Sequence, residues 1–181
     1  MALTATIYRV SVELAHIDRG VYETLDLRLA RHPSETMDYM ATRLLAYCLE
    51  YTEGIALSDG GISSDDEPPV MVRDLTGRMT AWIDVGLPSA ARLHRGHKLA
   101  GRAALYTHRN ITQVLGELNG HGVRRAAELP VIELDRAFVT ALGESLDRRS
   151  TMSLSVTEGQ LYVEIDGKHL ESRLIVHRIA P

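Results

Sequence analysis

A chain of 181 residues, 45% apolar, has the size of one ordinary domain with a real hydrophobic core. Its formal charge of −4 excludes a protein that coats polyanions with its whole surface, so any nucleic-acid contact must be local. The single cysteine excludes an internal disulfide and a multi-cysteine zinc site, and no run approaches the roughly 18 apolar residues of a membrane helix. The start, MALTATIYRV, lacks a basic region followed by an apolar block, so the expected location is cytoplasmic, without a membrane partner.

Residues 3–13 and 21–30 alternate in polarity and are rich in β-branched types, with Asp18-Arg19-Gly20 as the turn of an N-terminal hairpin. Pro33 ends the second strand. Ser34 is the expected cap and Glu35 the first-turn acid of a helix over about 35–52, its apolar face running from Met37 through Leu44 to Cys48. Gly54 closes that segment, 55–57 reads as a short strand, and SDGGISSDDEPP (58–69) is a long polar loop.

VMVRDL and MTAWIDVG flank Thr76-Gly77-Arg78, the pattern of a second hairpin. Pro88 opens a helix to about Arg102, ALYTH (104–108) reads as a buried strand, and another helix covers 111–119. The remainder predicts a strand VIEL, a helix from Asp135 to Leu146, paired strands joined at Glu158-Gly159, and a last strand at 170–179. Nothing divides 1–181 into two domains, and the hairpins at both ends belong to one sheet system.

Two acids stand out. Asp66 lies in DDEP just before one strand, and Asp84 is inside the next, in an apolar run where an unpaired carboxylate is expensive to bury. Antiparallel pairing brings them to one end of a sheet, where Glu35 can join them. Two carboxylates with water and phosphate oxygens suffice for Mg²⁺. Salt bridges to Arg43 or Arg92 are the competing use of the same acids. The segment Arg92–Arg109 concentrates basic residues, among them Arg95 and Lys98. Trp82 shares a strand face with Asp84, where it packs or stacks on a base. His94 and His97 read as surface residues, and His32 as a hydrogen-bonding group at the helix entry.

ARHPSET (30–36), DDEP (65–68) and WIDVGLP (82–88), with the start MALTATIYR, resemble the YaeQ family of bacterial proteins over nearly the whole chain. The resemblance implies an α/β fold of the α+β mixed-sheet kind. Its restriction-endonuclease-like core, a variant of the PD-(D/E)XK fold, runs helix-strand-strand-strand-helix-strand, with extra N- and C-terminal strands. It further implies metal ligation by Asp66 and Asp84, with Glu35 as the helix acid. The superfamily lysine two residues past the second acid is absent, because position 86 is Gly; Arg92 is the nearest replacement, with Arg95, Lys98 and Trp82 on the substrate side. Two functions follow as expectations: a Mg²⁺-dependent phosphodiesterase acting on nucleic acid, or a catalytically degenerate module that binds nucleic acid or a protein partner.

Overall fold

The computed structural model describes residues 4–59, 65–120 and 128–179. Among the described residues it holds two mixed sheets and four α-helices. One sheet is built from β1 (Thr6–His16), β2 (Val21–Arg31), β8 (Arg149–Thr157), β9 (Gln160–Ile165) and β10 (Lys168–Arg173), in the order β10-β9-β8-β1-β2. The other contains β3 (Ile55–Leu57), β4 (Val70–Arg73), β5 (Met79–Val85), β6 (Ala103–Thr107), β7 (Pro130–Glu133) and β11 (Ile175–Arg178), in the order β11-β7-β6-β5-β4-β3. The helices are α1 (Met37–Leu49), α2 (Ala90–Ala100), α3 (Ile111–Gly120) and α4 (Arg136–Ser145). From α1 to β6 the order is helix, three strands, helix, strand, as read from the sequence.

The two end hairpins do share a sheet. β1 pairs antiparallel with β2 from Thr6↔Arg31 to His16↔Val21, and parallel with β8. Gly20, at φ 65°, supplies the left-handed residue closing the short 3-10 turn Ile17–Arg19. Asp18 ties this turn to the β8–β9 turn by accepting from the backbone N–H groups of Glu158 and Gly159.

α1 is buried almost all round, because it lies between the two sheets: Met40, Leu44, Leu45 and Cys48 join one cluster with β1 and β8 on one side and Ile83, Val85 and Ala104 on the other. Alternation along β5 sends Ala81, Ile83 and Val85 to that core and Trp82 to the opposite face, where α2 and α3 close a second cluster through Leu93, Val114 and Leu118. Burial also pushes the Cys48 thiol up to about 12, consistent with a core cysteine.

Three readings need correction. α1 begins at Met37, and its N-cap is Thr36, whose hydroxyl accepts from the Tyr39 N–H, so neither Ser34 nor Glu35 starts it. It also ends at Leu49, short of residue 52. The predicted strand at 170–179 is two strands: the Leu174 N–H continues the β9–β10 ladder to Gly159 O, and β11 then crosses to the other sheet to pair with β7. Residues 60–64 of the long polar loop and residue 3 of the first predicted strand lie outside the described residues. Among the described residues, no helix is long and apolar enough to cross a membrane.

Candidate functional site

β5 and β6 run parallel with α2 as their crossover, and open α/β sheets place ligands at the carboxyl ends of such strands. A cavity of about 490 Å³ occupies this place. Its wall takes Asp84 and Gly86 from the end of β5, His108 and Arg109 from beyond β6, Arg92 from α2, and the entry of α1 from Ser34 to Tyr39.

Asp84 is 2% exposed. The indole Nε1 of Trp82 donates to its Oδ2 at 2.9 Å, and Arg92 Nε donates to the same oxygen at 2.8 Å. Among the described residues no donor is hydrogen-bonded to Oδ1. Arg92 is further held by a bond to Glu67 O at 3.0 Å, by its position 5.2 Å from the Trp82 ring centroid, and by Asp65 at 4.0 Å. Trp82 itself is fully buried and packs against Gly96, whose hypothetical Cβ would lie 2.4 Å from the ring. Packing and a hydrogen bond to Asp84 therefore account for Trp82, and stacking on a bound base is closed to it.

Glu35 is 1% exposed and paired with the fully buried Arg43 at 3.1 Å. Its Oε2 also accepts from the His32 N–H, and Arg43 Nη2 donates to Ala30 O at 3.0 Å. Burial pushes the Glu35 carboxyl above its usual range and the Arg43 charge pulls it partly back. His32 makes its ring contact with Ser34 at 2.7 Å, a local bond at the helix entry as expected.

Asp66 points the other way. Its side chain is 84% exposed and pairs with Arg95, one turn beyond Arg92, and it does not line the cavity. The DDEP residue that does line it is Asp65. The three predicted acids are thus not gathered into one cup: each meets its own arginine, Glu35 with Arg43, Asp84 with Arg92 and Asp66 with Arg95. Among the described residues no group of three or more His, Cys, Asp or Glu side chains is arranged to hold a metal ion. A two-carboxylate Mg²⁺ site at this cavity would draw on Asp84 and Asp65, with waters completing the shell.

Lys98 is exposed on α2, and Arg92, Arg95 and Lys98 follow one another at helical spacing, while Leu93 and Gly96 turn inward. His94 is exposed and His97 faces Glu128 at 3.6 Å, so neither joins the cavity. His108 is buried, its Nδ1 is 2.9 Å from the Thr42 hydroxyl, and burial holds it below the ordinary imidazole value. Gly86, where the resemblance led to an expected lysine, has a left-handed φ of 85°. Tyr39, whose phenol is pushed upward chiefly by burial and then by Asp84, completes the wall.

The geometry can be set beside known proteins. The family model described as YaeQ protein matches residues 1–174. The chain belongs to the YaeQ family. It is 33% identical over 175 residues to the YaeQ protein of Escherichia coli (strain K12), covering 96% of each chain, and 32% identical to that of Salmonella typhi over the same length. Among solved structures, YaeQ from Xanthomonas axonopodis pv. citri superposes with a TM-score of 0.88 at 30% identity, covering 98% of this chain and all of that one. YaeQ from Pseudomonas syringae gives the same TM-score and identity over 95% of each chain. The whole described fold, both sheets included, is therefore a YaeQ architecture.

Tyr39, Asp65, His108 and Arg109 were not singled out in sequence as cavity residues. Asp65 and Asp66 are adjacent and chemically identical, so only backbone direction tells which one faces inward. The others sit at the entry of α1 or just past β6, positions a parallel-strand reading could have supplied.

Proposed function

We propose that the cavity is the phosphate-binding site of a catalytically degenerate nuclease-like module of the PD-(D/E)XK kind, which holds a nucleic-acid backbone without a metal. The observation carrying this reading is the pairing of every predicted metal-binding acid with an arginine. A divalent cation would neutralise those carboxylates, and here guanidinium groups already do so. The lining carries Glu35, Asp65 and Asp84 against Arg92 and Arg109, and Arg43 behind Glu35 evens the count. The N-terminus of α1 then tips the balance toward anions through its unpaired N–H groups and dipole. Outside the cavity, Arg95 and Lys98 extend the positive row along α2, which suits a chain whose net charge permits only local contact.

A second reading has one observation in its favour. Asp84 Oδ1 has no donor among the described residues and shares the cavity with Asp65, the minimum for a Mg²⁺-dependent phosphodiesterase. If bound, the ion would supply a polarised phosphate and an acidified water.

One experiment separates them. Fluorescein-labelled single- and double-stranded DNA and RNA oligonucleotides are titrated with protein in EDTA and followed by anisotropy. The binding reading expects association that survives EDTA and weakens about tenfold in both Arg92→Gln and Arg109→Gln, the loss of one charge-assisted bond each. Binding equal in all three proteins overturns it. Mg²⁺-dependent cleavage absent from Asp84→Asn establishes the second reading instead.

A further inference from the structure

The parallel strands have a second cavity at their other end. It measures about 470 Å³ and lies where β5 and β6 begin, at Thr80, Ala81 and Arg102, so it is separate from the Asp84 site and independent of the function proposed for it. Its polar wall combines a closed network with one guanidinium left over. Glu50 is satisfied: Arg102 pairs with it at 2.8 Å and the Tyr106 hydroxyl donates to it at 2.8 Å. Arg19, by contrast, makes its hydrogen bond to Leu49 O through Nη1, and among the described residues no acceptor meets its other N–H groups. His16 is 6% exposed and its buried Nδ1 has no partner among the described residues.

His16 lines the cavity but its Nδ1 is sealed from it, so the group left for the polar atom of a bound molecule is the Arg19 guanidinium. Apart from Thr52 and Thr80 the rest of the lining is apolar, with Leu49, Val72, Ile132 and Leu174 among it. Arg19, Arg102 and Glu50 together leave one net positive charge. A single negative charge balances it, whereas a dianion would set a second charge beside Glu50 without compensation. Burial and then Arg19 hold His16 below the ordinary imidazole value, against the opposite pull of Asp18, a backbone hydrogen bond and Glu50.

We propose that this cavity binds a small organic monocarboxylate with an apolar body, its carboxylate on Arg19 and its hydrocarbon against Leu49, Val72 and Ile132. A cavity of this size accepts an acid of small-ligand dimensions. The carboxylate suits the planar guanidinium fork.

The test uses the full chain and the probes hexanoate, benzoate and 3-phenylpropionate, each beside its matched alcohol, with inorganic phosphate as the dianionic control. Binding is read from NMR shifts of the His16 ring protons and of backbone amides around Leu49, with Arg92 and Arg109 amides as the reference for the other site. At least one acid is expected to saturate these shifts while its alcohol and phosphate do not, and Arg19→Gln, a change at an exposed residue, weakens it about tenfold. Equal response to acid and alcohol, saturation by phosphate, shifts confined to the Arg92 side, unchanged affinity in Arg19→Gln, or no response to any of the three acids would each overturn the proposal.

Discussion

Trp82 and Asp84, two residues apart on β5, are joined by a 2.9 Å hydrogen bond from the indole nitrogen to Oδ2, the oxygen that also receives Arg92. The pair gives Asp84 a stability role that a purely catalytic acid lacks. Asp84→Ala strands a buried indole N–H and the Arg92 guanidinium together, and is expected to cost about 2–4 kcal/mol in urea unfolding. Asp84→Asn keeps an acceptor and should cost roughly half as much. An Asp84→Ala variant as stable as the parent would mean that this acid is held at a cost to the fold, as functional carboxylates are.

Gly96 is where α2 rests directly on the Trp82 ring. A methyl group there would sit 2.4 Å from ring atoms that are themselves fully buried, so α2 must lift or the indole must turn. Gly96→Ala is expected to lose about 1–3 kcal/mol, despite the better helix propensity of alanine. Trp82 is the only tryptophan, so its emission reports the change: a red shift in the folded variant accompanies the lost stability. An unchanged spectrum with a raised Tm would contradict the close approach.

Much of this arrangement was legible from residue pattern. The β1–β2 hairpin followed from period-two alternation around Asp18-Arg19-Gly20, and the β4–β5 hairpin from Thr76-Gly77-Arg78, because those signals are local. The pairing of Asp84 and Glu35 with arginines was legible as one of two uses of a buried acid, since an isolated charge has no other way to be buried. What stayed hidden depends on distant contacts. Nothing near Gly96 in sequence says that an indole fourteen residues earlier lies beneath it. Nothing in the α1 pattern says that a second sheet covers its polar side and buries Thr42 and Arg43. The division of residues 170–179 between two sheets depends on distant partners, β9 for the first part and β7 for the second.

Arg43 and Glu35 form a fully buried pair, and Arg43 Nε and Nη1 have no hydrogen-bond partner among the described residues. Such a pair is costly to break and cheap to replace. Arg43→Met alone should cost about 3–5 kcal/mol, by leaving the Glu35 carboxylate without its counter-charge, whereas Arg43→Met with Glu35→Leu should recover most of that loss. The double-mutant cycle measured by denaturant titration decides it. A double variant no more stable than Arg43→Met would show that the pair does more than neutralise itself.

Asp18 offers a pH-dependent link between the two turns of the outer sheet. Backbone N–H groups of Gly159 and Glu158 hold its carboxyl below the usual value near 3.8. A depressed folded-state pKa means that the unfolded chain binds the proton first as pH falls. The contribution is therefore complete above the unfolded value and is lost as pH drops through the folded one. Asp18→Ala should lower Tm by a few degrees at pH 7, and the difference from the parent should shrink as pH falls below 3.8. A Tm difference constant from pH 7 down to pH 2 would rule out the ionised carboxylate as the acceptor.

Gly86 offers a test of the proposed nuclease-like reading. The position has a φ of 85°, and its N–H donates to Tyr106 O at 2.9 Å, so β6 holds the backbone in that region. A side chain would find space, since a Cβ meets the Tyr39 ring only at 3.6 Å; the obstacle is conformational and amounts to about 1–2 kcal/mol for a non-glycine residue. Gly86→Lys is thus expected to fold with a Tm lower by several degrees. The backbone turn also takes residue 86 out of the regular strand geometry that sets the lysine beside the second acid in the superfamily pattern. No Mg²⁺-dependent cleavage of labelled DNA or RNA should appear in the variant, while EDTA-resistant binding persists. Cleavage that appears with Gly86→Lys and vanishes again with Asp84→Asn would show that the site lacks only its lysine, and would return the cavity to the phosphodiesterase reading.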